Sequence, residues 1–316
     1  MQYAMLVLLL LAACGGEVQY PGMDEPLLID KGSLHLGNVP PPPDADPGTD
    51  GAATDLAVTD VELPASVAGV GESRTLNGRV AEAAYAIAVQ LAGAATAAYG
   101  SGYWVVPVDG VDPQYPGERT WTFAATFGHK APIGMARIRI AGVGADGGLG
   151  PSRDVNLCIS PDYPDNLNAC DPTLQPPALV VQLQWDRDVD LDLEVVRPDG
   201  TLLSNKGGTA ADGKSLLPGK LDTDGLAGCK SDPRRTENAF WNDKPAKGIY
   251  AVQARLFSAC SQTSVRFVVR ALLRQAGEQP GTWQQVEVAR WTGTLLAAQA
   301  DGGSGPALLI GNLELP

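Results

Sequence analysis

Apolar side chains stand at nearly every second position of the stretch Val181-Gln182-Leu183-Gln184-Trp185-Asp186-Arg187-Asp188-Val189-Asp190-Leu191-Asp192-Leu193-Glu194-Val195. A period of two is that of a β-strand, because successive side chains point to opposite faces of a sheet. The stretch therefore predicts one long strand. The residues expected to face the core are Val181, Leu183, Trp185, Val189, Leu191, Leu193 and Val195.

Short apolar runs separated by turn residues continue after this strand and predict an antiparallel β-sandwich over residues 177–316. The further strands are expected at 250–254, 265–273, 283–291 and 307–315. Residues 55–157 show the same spacing and predict an earlier sandwich, with strands at 56–58, 86–89, 103–106, 121–123 and 138–140. The alternative for residues 80–98, which are rich in alanine, is a helix.

The composition agrees with an all-β fold class. The chain has 316 residues, of which 37 are Gly and 25 are Pro, and 44% are hydrophobic, as in turn-rich globular domains. Prolines crowd residues 158–176, which predicts a linker between the two sandwiches. Residues 14–54 contain a run of four prolines with few aromatics and predict a disordered tether, which would span on the order of 35 Å as a flexible coil.

The N-terminal residues resemble the signal peptide of bacterial lipoproteins. Met5-Leu6-Val7-Leu8-Leu9-Leu10-Leu11-Ala12-Ala13-Cys14 is an apolar run that ends in the small residues and cysteine of a lipobox. The run is too short to span a bilayer, as expected of a cleaved export signal. The resemblance implies that residues 1–13 are removed and that Cys14 carries the lipid that binds the membrane. Gly15 stands where an Asp commonly causes inner-membrane retention, so the expected location is the outer membrane.

Four further cysteines remain, and an exported protein meets an oxidising compartment, so disulfides are expected. Four cysteines allow three pairings, and the spacing favours Cys158–Cys170 with Cys229–Cys260. A zinc site is the competing use of these thiols. The chain lacks the usual C-x2-C spacing and has only two histidines, His35 and His129.

The charge of the chain limits its partners. The net charge is −13, and no basic stripe with interleaved aromatics offsets it. Such a surface repels phosphate backbones, so nucleic acid is not an expected partner. A basic protein partner is compatible with the charge.

Two resemblances add to the fold prediction. Residues 132–140, leading into Asp146-Gly147-Gly148-Leu149-Gly150-Pro151, resemble the late strands of bacterial immunoglobulin-like domains. Residues 188–193, together with Arg197-Pro198-Asp199-Gly200 and 245–250, resemble pre-peptidase C-terminal domains and the "W…DVDLHV" sandwich domains of secreted bacterial proteins. The second match covers about residues 180–270 and implies a jelly-roll or sandwich fold there.

Strict alternation would place Asp186, Asp188, Asp190, Asp192 and Glu194 on one strand face. Neighbouring carboxylates about 6.8 Å apart repel each other, and a calcium ion, which takes six to eight oxygen ligands, would relieve the repulsion. The preferred calcium ligands are Asp188, Asp190, Asp222 and Asp224. A solvated strand face and an acidic docking face for a basic partner are the alternatives.

No set of residues predicts a nucleophilic active site, since His129 is the one histidine expected in a folded domain and it lies in a turn. The expected function is a non-catalytic binding or structural module of the envelope, and the chain is not expected to be an enzyme. The first alternative is a carbohydrate-binding module that binds an envelope glycan, with Trp241 as the exposed ring. The second alternative is a polysaccharide hydrolase that uses paired carboxylates.

Overall fold

The computed structural model describes residues 25–42, 55–93, 99–204, 220–221, 227–230 and 235–316. Within these ranges the chain forms nineteen β-strands and two short 3₁₀ turns, Ala227–Cys229 and Ala297–Gln299, and no α-helix. None of these described segments is a helix with the length and hydropathy needed to cross a membrane. The predicted signal peptide and Cys14 lie outside the described residues.

Ten strands build the first sandwich. They are β1 (Leu27–Ile29), β2 (Ser33–Leu36), β3 (Val58–Glu62), β4 (Val67–Gly69), β5 (Ser73–Ala81), β6 (Ala86–Ala92), β7 (Gly102–Pro107), β8 (Glu118–Phe127), β9 (Gly134–Val143) and β10 (Leu149–Ser160). The two sheets have the orders β1-β8-β5-β3 and β2-β7-β6-β9-β10-β4. All pairs are antiparallel except β4 with β10. Two facing sheets with this order of strands form an immunoglobulin-like sandwich.

The first core lies between these two sheets. Trp121 and Phe123 of β8 stack with ring centroids 5.5 Å apart and pack against Ile87 and Ile138 of the facing sheet. Gly78 of β5 lies directly against the Trp121 ring, so a larger residue at this position would collide with the ring. The alanine-rich segment forms strand β6 and not a helix. Strand β6 is bonded to β7 on one side and β9 on the other, and this pairing outweighs the helix propensity of alanine.

The tether prediction is wrong for residues 25–42. Strand β1 pairs with the end of β8, and β2 pairs with β7. The next segment, Gly37–Pro42, crosses the outer face of the second sheet, and we call it the strap. Val39 of the strap is buried, and its N–H donates to the Gln90 side chain at 2.9 Å. Proline content alone does not prevent a segment from packing when the sheet beneath it offers apolar residues and hydrogen-bonding side chains.

Nine strands build the second sandwich. They are β11 (Leu179–Trp185), β12 (Asp190–Val196), β13 (Leu202–Leu203), β14 (Lys220–Leu221), β15 (Thr236–Trp241), β16 (Gly248–Ser258), β17 (Ser264–Ala276), β18 (Trp283–Leu296) and β19 (Leu308–Leu315). Its sheets have the orders β14-β15-β11-β17-β18 and β13-β12-β16-β19. All its pairs are antiparallel. The predicted all-β class with two antiparallel sandwiches is therefore confirmed.

The alternating stretch at 181–195 is two strands and not one. Strand β11 ends at Trp185 and β12 begins at Asp190 in the opposite sheet. The chain crosses between sheets through a turn in which the Asp186 carboxylate accepts the Arg266 N–H at 2.9 Å. Because both strands face the space between the sheets, all seven predicted core residues nevertheless lie in one buried cluster.

The segment 161–178 connects the two sandwiches and is bonded to both. The predicted Cys158–Cys170 disulfide joins it to β10. Asp162 accepts from Arg270 Nη2 of β17 at 2.8 Å, and the Trp283 N–H donates to the Pro172 carbonyl at 2.7 Å. Burial raises the pKa of the nearby Tyr163 phenol, and the Arg270 guanidinium above its ring opposes that shift.

Candidate functional site

The motif carboxylates of β12 lie at one edge of the second sandwich, which we call the acidic edge: Asp190, Asp192 and Glu194, with Glu237 of β15. Alternation along β12 puts Leu191, Leu193 and Val195 in the core and the acidic side chains on the other face. The alternative of a solvated strand face does not fit these residues, because Asp190, Asp192 and Glu194 are only 4%, 5% and 7% exposed. Carboxylates this buried need partners, because removing a charge from water costs several kcal/mol.

Arg255 of β16 is the main counter-ion of the acidic edge. It stands opposite Asp192 in the β12–β16 register, and its Nε donates to Glu194 at 2.7 Å. Its Nη1 lies 3.6 Å from Asp301 and donates to the Gly305 carbonyl. The hydrogen bond to Glu194 is the main cause that raises the pKa of Arg255. Arg255 thus fastens the turn before β19 to the strand that carries the motif.

Glu237 is a buried acid for which the sequence made no prediction. It is opposite Leu183 in the β11–β15 register, on the core face, and has no exposed surface. Its carboxylate accepts the Leu193 N–H at 2.7 Å. Strand β13 pairs only with Val195 and Val196, so the backbone of Leu193 lies beyond the ladder, and Glu237 supplies the acceptor there. The signal that could have found it is the alternation of Glu237, Ala239 and Trp241.

The second predicted disulfide lies beside this edge. Cys229 is bonded to Cys260, as the spacing favoured. The 3₁₀ turn that contains Cys229 presents the Gly228 N–H to Asp190 Oδ2 at 2.7 Å. Asp190 therefore binds the backbone of the disulfide loop. Both disulfide predictions are confirmed, and the four thiols are consumed in them.

The structure separates two of the predicted calcium ligands. Asp188 lies in the turn before β12, is exposed, and forms a 2.8 Å salt bridge with Arg235, whereas Asp190 is buried on β12. Asp222 and Asp224 lie outside the described residues. Within the described ranges, no group of three or more His, Cys, Asp or Glu side chains is arranged to hold a metal ion. The calcium site stays a prediction.

The calcium prediction is tested by comparing the thermal melt of the protein in about 2 mM calcium with its melt in a chelator. A site of 0.1–1 mM affinity should stabilise the second sandwich by about 0.6–1.8 kcal/mol. Asp190→Asn keeps an acceptor for the Gly228 N–H but removes the charge, so it should abolish the shift. The control is Asp199→Asn, which changes an exposed acid at the other end of β12. A melt that calcium leaves unchanged would remove the metal site from consideration at these affinities.

The prediction that the Trp241 ring is exposed is wrong. It is the last residue of β15, only 1% exposed, and its ring meets Tyr250 edge-on at 5.6 Å between centroids. The alternation of β15 turns it toward the core with Ala239. Two other tryptophans of this sandwich also make internal contacts: Trp283 lies under Arg274 at 5.4 Å, and Trp291 lies against Gly311.

The two histidines lie in the first sandwich. His129 is exposed in the turn between β8 and β9, as expected. His35, which was assigned to the tether, is on β2, where it stacks with Tyr103 and lies 3.2 Å from the Ser33 hydroxyl. Neither histidine belongs to the second sandwich, where the acidic edge lies.

The fold and the acidic edge define the class: an all-β protein with an immunoglobulin-like sandwich followed by a second antiparallel sandwich. No family model matches the chain, and no curated protein matches it. The solved structures that match include a crystal structure of chicken TCR, with 11% identity and a TM-score of 0.21, over 75% of this chain and 99% of that chain. The class is therefore assigned from the strand orders and registers described above.

Proposed function

We propose that this chain is a lipid-anchored protein of the bacterial outer membrane whose two sandwiches are binding or structural modules of the envelope. The observation that carries the proposal is the use of the cysteines. Four of the five pair with one another as Cys158–Cys170 and Cys229–Cys260, which leaves Cys14 as the odd one. Disulfides belong to oxidising compartments outside the cytosol. Residues 5–14 resemble a lipobox, and Cys14 is at the position where a lipobox carries the lipid.

The contacts of the motif carboxylates support a non-catalytic role. Glu194 is held by Arg255, Asp190 by the Gly228 N–H, and Glu237 by the Leu193 N–H. Retaining and inverting glycosidases need one carboxyl group that can donate a proton to the leaving group. Each of these carboxylates already accepts from a guanidinium or a backbone N–H, which favours a structural use over the hydrolase alternative.

The net charge of −13 favours a basic protein surface as the partner of such a module. The carbohydrate-binding alternative is weakened because its best candidate ring, Trp241, is buried. Turnover on a panel of polysaccharides and esters would support the hydrolase alternative over the binding module.

Cell fractionation of the full-length protein tests the anchor. The unchanged chain should gain the mass of a lipid at Cys14 and sediment with the outer membrane. Cys14→Ser should lack the lipid and appear in the periplasmic fraction. Gly15→Asp is the matched variant, because it keeps the lipid and should move the protein to the inner membrane. An unmodified Cys14 in the unchanged chain would refute the proposal.

A further inference from the structure

The chain enters and leaves the first sandwich at the same end. Leu27 at the start of β1 is paired with Phe127 at the end of β8. Ile159 near the end of β10 is paired with Gly134 at the start of β9. The short segment 128–133 joins β8 to β9, so these four residues all lie at one end of the sandwich, which we call the entry end.

The length of chain before the first sandwich limits where that end can lie. Cys14 stands eleven positions before Glu25, the first described residue. A chain spans at most about 3.6 Å per residue, so Glu25 stays within about 40 Å of Cys14 in any conformation. The ten-residue strand β8 is itself about 34 Å long. That limit applies directly to the entry end, where Glu25 lies, whereas the opposite end of the sandwich lies one strand length farther from Glu25.

The turn between β8 and β9, which lies beside β1, exposes apolar side chains. The Gly128 N–H donates to the Pro26 carbonyl at 3.0 Å, so the turn after β8 directly adjoins the incoming chain. Ile133 in this turn is 48% exposed, and Met135 at the start of β9 is 52% exposed. His129 and Lys130 are exposed in the same turn.

The apolar surface continues onto the linker through a disulfide. Met135 is opposite Cys158 in the β9–β10 register, and Cys158 is bonded to Cys170. The Cys170 N–H donates to the carbonyl of Leu167, which is also exposed. The disulfide thus fixes Leu167, a third exposed apolar side chain, near the entry end.

We propose that the entry end is a lipid-contact surface, in which Ile133 and Met135 enter the boundary between headgroups and acyl chains. The proposal rests on the lipid anchor proposed above. Exposed apolar side chains suit this boundary, because entering it removes their apolar surface from water. The contact would fix the orientation of the first sandwich on the membrane, which a single lipid chain alone does not.

Fluorescence quenching in vesicles tests the orientation with the full-length lipidated chain. Ile133→Trp is compared with Val111→Trp, which places the same ring at a position 53% exposed near the start of β8, at the opposite end. Both proteins are bound to phosphatidylcholine vesicles that contain brominated lipids, and the signal of the unsubstituted protein is subtracted. We expect the ring at 133 to shift to the blue and to be quenched, and the ring at 111 to do neither.

The outcomes separate the two proposals. Protein that floats with the vesicles while the ring at 133 stays unquenched would refute the lipid-contact surface and leave the anchor intact. Equal quenching at 133 and 111 would also refute it, because the sandwich would then have no fixed orientation. Protein that carries no lipid and does not float would refute the anchor and the lipid-contact surface together. Thermal melts of both variants check that each tryptophan leaves the fold unchanged.

Discussion

Replacing Arg139 with alanine should lower the free energy of unfolding of the first sandwich by about 3–5 kcal/mol. Arg139 is buried beneath the strap and forms two hydrogen bonds with Asp154, at 2.8 and 3.0 Å. It also donates to the Val39 carbonyl at 3.5 Å. The alanine variant leaves Asp154 with Arg137 at 3.3 Å and removes one bond that holds the strap. Urea unfolding followed by hydrogen exchange measures the loss separately for each sandwich.

The control for this prediction is Arg153→Ala. Arg153 directly precedes Asp154 on β10. It is exposed, and its side chain donates to the Thr59 carbonyl at 3.0 Å. Its loss should cost no more than about 0.5 kcal/mol. The double variant Arg139→Met with Asp154→Leu removes both charges, and it should recover most of the lost stability. Equal losses for Arg139→Ala and Arg153→Ala would contradict the buried ion pair.

Trp241→Ala should destabilise the second sandwich by about 3–5 kcal/mol. The ring is fully enclosed by the core, and its contact with Tyr250 joins β15 to β16 across the two sheets. Removing it opens a large cavity that the surrounding strands cannot fill. The same unfolding measurement should show an unchanged first sandwich, because Trp241 does not belong to the first core.

Trp241→Phe serves as the matched variant for this site. It retains an aromatic ring against Tyr250, so it should lose much less stability than the alanine variant. The comparison also distinguishes a core residue from a ligand-binding platform. A stable Trp241→Ala protein would mean that the ring is not part of the core and would restore the carbohydrate-binding alternative.

The sequence identified half of the strands of the first sandwich and most strands of the second, because these strands carry short apolar runs between turn residues. It could not show that residues 181–195 belong to two sheets. The chain crosses over between Trp185 and Asp190 without changing the phase of the alternation, so a single strand and a pair of facing strands leave the same pattern. Only the pairing of β11 with β17 and of β12 with β16 distinguishes them.

The acidic edge shows a different limit. The acidic residues of β12 stood out in the sequence, but their burial depends on partners far along the chain. Arg255 is 61 residues beyond Glu194, and Glu237 is 44 residues beyond Leu193. A local pattern carries no information about such contacts. Glu237 was missed because an acid on the core face interrupts the apolar alternation of a strand that has only six residues.

The cysteine pairing was predictable because both disulfides close short segments, with separations of 12 and 31 residues. The strap was not predictable for the opposite reason. Its bonds reach Gln90 and Ser152, which are 51 and 112 residues away from their partners Val39 and Pro40. The prolines and the lack of periodicity are local features of the strap. They carry no information about the sheet surface to which it is bonded.

The strap and β1 also set an order of events during biosynthesis. A ribosome completes residues 25–42 long before it reaches the residues that hold them, since Phe127 follows Leu27 by one hundred positions and Ser152 follows Pro40 by 112. Residues 25–42 are therefore the first part of the sandwich to be synthesised and among the last to form their native contacts. If Cys14 is lipidated early, the chain is already fixed to the membrane while this segment still lacks its partners. The first sandwich then completes its folding with one end tied down, and closure of the strap is its late, non-local step.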